Sequence, residues 1–185
     1  MIGVNDFKTG MTIQYEGNIY TVMDFQHVKP GKGAAFVKAK LKNLRTGSII
    51  ENTFNSSVKV EKARIEKSPM QFLYADGDTY NFMNMETFDQ IGIDKSKIEE
   101  EVKFLKENLT VDIMFFEGEM LGVILPEKID VVVTKTEPAV KGNTSSNAQK
   151  DAIVETGLLV RVPLFIEQGE EIIIYTKDGK YVSRK

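Results

Sequence analysis

Apolar and polar residues alternate with period two along much of the chain, most cleanly over residues 36–44. There Val37, Ala39 and Leu41 fall on one face and Lys38, Lys40 and Lys42 on the other, the pattern of a half-buried β-strand. Turn signals punctuate the neighbouring apolar runs: Glu16-Gly17-Asn18 separates 11–15 from 19–25, and Thr46-Gly47 leads into 48–54. Five short strands ending near Arg64 fit a small SH3-like barrel over 1–64. A second unit opens at Ser68-Pro69, where Asp76-Gly77-Asp78 separates 70–75 from 79–83 and Glu117-Gly118 separates 110–116 from 119–125. Between these hairpins the period changes. Ser96-Lys97-Ile98-Glu99 reads as a capping box, and Ile98, Val102 and Leu105 recur at helical spacing. The spacing predicts one helix over 97–107, with Glu99, Glu100 and Glu101 complementing its dipole. Strands and one helix in this order suit a five-stranded OB-type barrel over 65–128.

Pro126-Glu127-Lys128 marks a second boundary. A strand rich in β-branched residues follows over 129–136. Residues 137–150 then hold Pro138, Gly142, Asn143, Thr144, Ser145, Ser146 and Asn147 and read as a flexible, functional loop. Three further strands, 158–166, 171–176 and 181–184, complete a second OB-type barrel over 129–185, with Lys177-Asp178-Gly179-Lys180 as a hairpin turn. The expected fold is all-β, with three small β-barrel domains.

Charge is distributed unevenly. Residues 1–64 carry ten Lys and Arg against five Asp and Glu, residues 65–128 six against fourteen, and residues 129–185 eight against eight. A basic first third beside an acidic middle suits a particle that meets RNA phosphates at one end. Independent drift of surface charge gives the same numbers. The chain has no cysteine, hence no disulfide framework and no thiolate metal site. No apolar run reaches membrane-spanning length, and the first residues lack the pattern of a signal peptide. A soluble cytoplasmic protein without membrane association is expected.

Catalytic chemistry finds little to work with. His27 is the single histidine, and no Gly-x-Ser-x-Gly elbow accompanies it. Gly31-Lys32-Gly33 lacks the Gly-Lys-Ser/Thr of a nucleotide-binding loop. Asp76-Gly77-Asp78 lacks the remaining ligands of a calcium loop and reads as a turn. Neither a metal site nor a cofactor is expected. Small barrels with a basic element favour binding to RNA or to a ribonucleoprotein over an enzymatic role.

The basic element is His27-Val28-Lys29-Pro30-Gly31-Lys32-Gly33-Ala34-Ala35-Phe36. Gly31 and Gly33 have no Cβ and permit φ > 0 in a tight turn. Pro30 fixes its own φ and pushes Lys29 toward an extended conformation. Lys32 would project from a narrow, stiff finger, fit to enter a crevice or to meet a modifying enzyme. An ordinary exposed hairpin lysine satisfies the same spacing, and Lys38, Lys40 and Lys42 read either as a basic ribbon or as a solvated strand face.

Three separated motifs make the reading specific. Lys29 through Phe36 resembles the modified loop of the bacterial elongation factor P family. Asn81-Phe82-Met83-Asn84-Met85-Glu86-Thr87-Phe88 resembles that family's middle-domain signature. The last third follows its C-terminal pattern: Lys150-x-Ala152, Glu155-Thr156-Gly157, Val160-x-Val162-Pro163-Leu164-Phe165-Ile166, Gly169-Glu170, then Gly179-Lys180-Tyr181-Val182-Ser183-Arg184.

The resemblance covers essentially the full length. It implies an L-shaped, tRNA-like arrangement of a KOW-like, SH3-like barrel and two OB-type barrels. It implies a monomeric, non-enzymatic factor that binds the ribosome between the peptidyl-tRNA and exit sites. There the factor relieves stalling at consecutive prolines by positioning peptidyl-tRNA. Lys32 matches the lysine that the family's modifying enzymes extend, with Lys29, Pro30, Gly31 and Gly33 as its support. Gly142-Asn143-Thr144 resembles a loop that approaches the exit-site codon, although many relatives carry Asp at the position of Asn143. Tyr181 and Arg184 match positions near the small subunit and tRNA, and a plain strand-end role suits each equally. Two other binding readings stand beside it: a paralogue of the family with other clients, and a general single-strand RNA-binding OB protein. A catalytic protein is the last alternative.

Overall fold

Three antiparallel sheets carry the chain in the computed structural model, which describes residues 1–138 and 148–185. The expected all-β class holds, and among the described residues no helix is long and apolar enough to cross a membrane. Close contacts group Met1–Lys67 with Ile113–Gly122 in one unit and Ser68–Asp112 with Val123–Lys185 in another.

The first sheet holds β1 (Ile2–Gly3), β2 (Thr12–Tyr15), β3 (Asn18–Val28), β4 (Phe36–Asn43), β5 (Ile49–Asn55) and β6 (Lys59–Lys62), in the order β1-β6-β2-β3-β4-β5. The alternation of β4 is realised: Val37, Ala39 and Leu41 are wholly buried beside Val4, Ile13 and Val22, and the lysines face out. One strand exceeds the five expected, because two-residue β1 pairs with β6 through Ile2 and Val60. Glu16 (φ 48°) and Gly17 (φ 77°) are both left-handed, as the twist of a two-residue hairpin turn requires. Within β3 the pairing with β4 slips by one residue between Val22 and Asp24. Met23 is the extra residue of this bulge, and beyond it the two faces of β3 exchange parity.

The second sheet comprises β7 (Glu66–Asp76), β8 (Thr79–Asn84), β9 (Gln90–Asp94), β10 (Thr110–Phe116) and β11 (Glu119–Ile124), in the order β11-β10-β7-β8-β9. The helix expected over 97–107 is absent. Two 3-10 turns stand there instead, Lys95–Lys97 and Glu101–Phe104. Asp94, not Ser96, caps the first: its Oδ1 accepts from the Ser96 backbone N–H at 2.9 Å and from Ser96 Oγ at 2.7 Å. These bonds hold the Asp94 carboxyl below its usual range. The helix gives way to tertiary packing: Phe104 is drawn into the core of the third sheet. Leu105, next in sequence, is extended and ends the second turn.

The third sheet holds β12 (Lys128–Thr136), β13 (Gln149–Val154), β14 (Leu159–Pro163), β15 (Glu171–Tyr175) and β16 (Tyr181–Arg184), in the order β14-β13-β12-β15-β16. Strand β13 occupies a stretch the sequence reading left without one. Its core contains Ile129, Val131, Val133, Val160, Val162, Ile172 and Ile174, joined by Phe104 from the second 3-10 turn. Burying a ring of that size contributes about 2 kcal/mol. Beside it, Lys106 Nζ lies 3.2 Å from Asp130, whose carboxylate also receives Lys185 Nζ at 2.9 Å.

Candidate functional site

The lysine finger is the connection from β3 to β4. Lys29, Pro30, Gly31, Lys32 and Gly33 are all exposed, and neither lysine has an ion-pair or side-chain hydrogen-bond partner among the described residues. Gly33 adopts φ +101°, so an L-residue there is strained; Gly31 does not use the left-handed region that the sequence reading allowed it. The base of the finger is tied down. The Ser56 N–H donates to Ala35 O at 3.1 Å, and Asn5 Nδ2 donates to Ser56 O at 3.0 Å. The strand beneath is held by pairs from Val28–Phe36 to Tyr20–Asn43. An exposed cation is thus carried on an anchored stem.

The outward face of β4 presents Lys38, Lys40 and Lys42, all exposed. The parity change at Met23 sets Asp24 opposite Lys40, and β5 places Glu51 opposite Lys40 from the other side. Glu51 also lies 3.7 Å from Lys38 Nζ, an exposed pair of small energetic weight. The ribbon is therefore three ammonium groups interleaved with two carboxylates. His27 sits on the same hairpin with its ring edge-on to Phe25 at 5.5 Å, a packing contact.

The C-terminal residues behave differently from one another. Tyr181 opens β16 half-buried and packs against the third core. Arg184 is committed within the chain: its guanidinium lies 4.5 Å above the Phe165 ring, donates to Phe165 O at 3.2 Å and approaches Glu170 at 3.3 Å. Gly142, Asn143 and Thr144 lie outside the described residues. Lys32 and the ribbon belong to the first unit, Tyr181 and Arg184 to the second.

Family models match along the chain in order. The KOW-like domain of elongation factor P covers residues 3–60, its OB domain 65–123 and its C-terminal domain 129–184. This chain belongs to the elongation factor P family. Similar solved structures include eukaryotic translation initiation factor 5A from Methanococcus jannaschii, 24% identical with a TM-score of 0.54, over 66% of this chain and 92% of that one. A translation initiation factor 5A family protein from Naegleria fowleri is 15% identical with a TM-score of 0.53, over 66% and 94%. At these identities the two structures share the fold alone.

As a member of the elongation factor P family the chain is a translation factor and not an enzyme. Much of the family's motif content is architectural here. In the middle signature, Phe82 is wholly buried, and Asn84 Oδ1 accepts from the backbone N–H of Glu86 (2.8 Å) and Thr87 (3.1 Å) to shape the β8–β9 turn. In the C-terminal pattern Val160, Val162 and Ile166 are core. Lys32 is a motif residue whose charge makes no ion pair among the described residues. Arg161 and Lys180, exposed cations lining the same cleft as Tyr181, are not among the residues that sequence reasoning singled out; only Lys180 lies in the motif run that contains Tyr181.

Proposed function

We propose that this protein is a cytoplasmic, monomeric elongation factor that binds the ribosome between the peptidyl-tRNA and exit sites and stimulates peptide bond formation at consecutive prolines. The domains we assign are 1–64, 65–128 and 129–185. Proline reacts poorly because its amine is secondary and its ring restrains the peptidyl geometry. The factor's contribution is positioning: Lys32 reaches along the acceptor arm toward the reacting centre and helps hold the CCA end, while ribosomal RNA makes the bond.

The observation that carries this reading is the finger itself. It is an exposed lysine, without a partner among the described residues, on an anchored hairpin in a chain of a translation-factor family. A bare lysine spans about 6 Å by covalent geometry. A lysine-modifying enzyme that adds an amine- or hydroxyl-bearing tail would extend that reach and add donors for phosphate or ribose. Lys29 supplies a second charge, and Lys38, Lys40 and Lys42 face RNA phosphates along the stem. The test is synthesis from a Pro-Pro-Pro template against a proline-free control in a reconstituted system lacking the factor. Protein from its source rescues the proline template selectively and Lys32→Ala does not. Equal synthesis with and without the native protein overturns the reading.

A further inference from the structure

A cleft of about 720 Å³ lies within the second unit, bounded by β7, β8, the stretch 102–108 and the β13–β14 turn. Phe72, Tyr74 and Tyr80 line it, with the Phe72 and Tyr80 rings stacked 5.8 Å apart and Tyr74 52% exposed. Val102 and Leu105 add aliphatic surface. The turn supplies Glu155 and Thr156, which no step at Lys32 uses.

Thr156 is the first pointer to a ligand. Its Oγ1 is the single buried side-chain polar atom without a hydrogen-bond partner among the described residues. The backbone around it is already paired: the Gly157 N–H donates to Val154 O at 2.8 Å and the Glu155 N–H to Val132 O at 2.9 Å. Buried polar atoms are nearly always satisfied, so an orphaned oxygen on a cleft wall marks a place for a partner from outside.

Charge narrows the choice. Lys106 Nζ is already drawn to Asp130 at 3.2 Å and to Glu155 at 3.8 Å. Glu107 is exposed and pairs with no cation among the described residues. With Lys106 set against Glu107 and Glu155, the lining has carboxylate in excess, inside a middle third of six basic and fourteen acidic residues. Such a field repels phosphate and draws cations. Oxygen acceptors beside exposed aromatic faces suit a flat cation that only donates, which is a guanidinium.

We propose that this cleft takes one arginine side chain of a partner protein. The guanidinium stacks on Tyr74 and donates to Thr156 Oγ1 in the field of Glu107 and Glu155, and its methylenes run along Val102 and Leu105. An arginine within a chain fits better than the free amino acid, whose α-carboxylate would meet an acidic lining. The acidic surroundings favour a basic segment around that arginine. The proposal needs nothing from the role of Lys32.

The test is a nuclear magnetic resonance titration of the full chain with the peptide acetyl-Gly-Gly-Arg-Gly-Gly-amide. The same peptide carrying citrulline or lysine, free arginine and hexa-adenylate RNA are run beside it. The arginine peptide produces saturable shifts at the amides of Tyr74, Glu107 and Thr156. Citrulline, with the shape and without the charge, binds about tenfold more weakly, and lysine about threefold. Thr156→Val weakens the arginine peptide about fivefold and Thr156→Ser less than about twofold. Thr156→Val melts no lower than the parent, because the hydroxyl has no internal bond to lose. Glu107→Gln weakens the peptide about fivefold, whereas Glu99→Gln, exposed and outside the cleft, changes it less than about twofold. No shifts at these amides, equal binding of the citrulline peptide, equal effects at positions 99 and 107, or unchanged binding in Thr156→Val overturns the proposal. So does tighter binding of free arginine, which would make the cleft a metabolite site, or the same shifts with the RNA.

Discussion

Arg45 grips both carboxylate oxygens of Glu119. Its Nε lies 3.0 Å from Oε1, its Nη2 lies 2.9 Å from Oε2, and its Nη1 donates to Gly17 O at 2.9 Å. One guanidinium thereby joins the β4–β5 turn, the β2–β3 turn and β11 within the first unit. The hydrogen bond to Glu119 is the main cause of the raised Arg45 pKa. A lysine keeps the charge but not the fork. Arg45→Lys and Glu119→Gln should each lower the thermal midpoint at low salt. In Glu119→Gln the loss should shrink as salt is raised, because the pair is partly exposed. An unchanged midpoint at low salt would remove the fork from the stability of this unit.

The two finger glycines are not equivalent. A Cβ at Gly31 meets nothing within 4 Å and requires no left-handed backbone, whereas Gly33 sits at φ +101°. Gly31→Ala should keep nearly full rescue of a proline template. Gly33→Ala should lose several-fold, since an L-residue there costs about 1 kcal/mol or more or forces the finger into another shape. Gly31→Ala should melt like the parent, and Gly33→Ala no more than a few degrees lower. Equal rescue by the two would show that the shape of the finger does not matter.

Asp130 responds to acid in a direction that can be worked out. The Lys185 hydrogen bond first, and Lys106 next, lower its pKa from 3.8 to about 2 against the opposing effect of burial. A carboxylate depressed on folding adds stability that is complete above its unfolded pKa and drains away as pH falls through the folded value. Between about pH 4 and about pH 2 the parent should therefore lose more stability than Asp130→Asn. The difference should be on the order of 1 kcal/mol, since the carboxylate is partly screened by water. Urea midpoints across that window decide it, and parallel curves for the two proteins would exclude the mechanism.

Phe104 is the ring that the middle stretch contributes to the third core. Phe104→Ala should cost about 3 kcal/mol through lost burial and a residual cavity. Phe104→Leu should cost clearly less. Urea unfolding followed by tyrosine fluorescence measures both, and a loss below about 1 kcal/mol for the alanine variant would mean the site collapses around the gap.

What the sequence disclosed tracks how local each determinant is. Strand β4 was legible because its lysines and its core residues alternate without exception. Strand β13 escaped because Lys150 occupies an inward position, in register with Ala152 and Val154, so the alternation is masked. The helix over 97–107 was suggested by Ile98, Val102 and Leu105 and defeated by Phe104, whose burial belongs to a core assembled largely after residue 128. For the candidate site, Lys32 could be placed on a turn, but the difference between Gly31 and Gly33 depends on backbone angles. The carboxylates beside the ribbon, and the hold of Phe165 and Glu170 on Arg184, come from other strands and loops that sequence spacing does not reveal.

Met23 is chemically unremarked, yet it works as a parity switch in the stem of the finger. Before it, Val22 faces inward opposite Leu41; after it, Asp24 faces outward opposite Lys40, and Phe25 turns inward opposite Ala39. Removing that one residue would leave every charged group and every core side chain in the chain. It would also leave the pairing as it is, with Asp24 opposite Lys40 and Phe25 opposite Ala39, and would take away only the bend and added twist that the surplus residue gives the root of the element carrying Lys32. Length therefore aims the finger where composition fills the barrel: a substitution at position 23 is a small matter, and a deletion there would point the stem elsewhere without turning either face over.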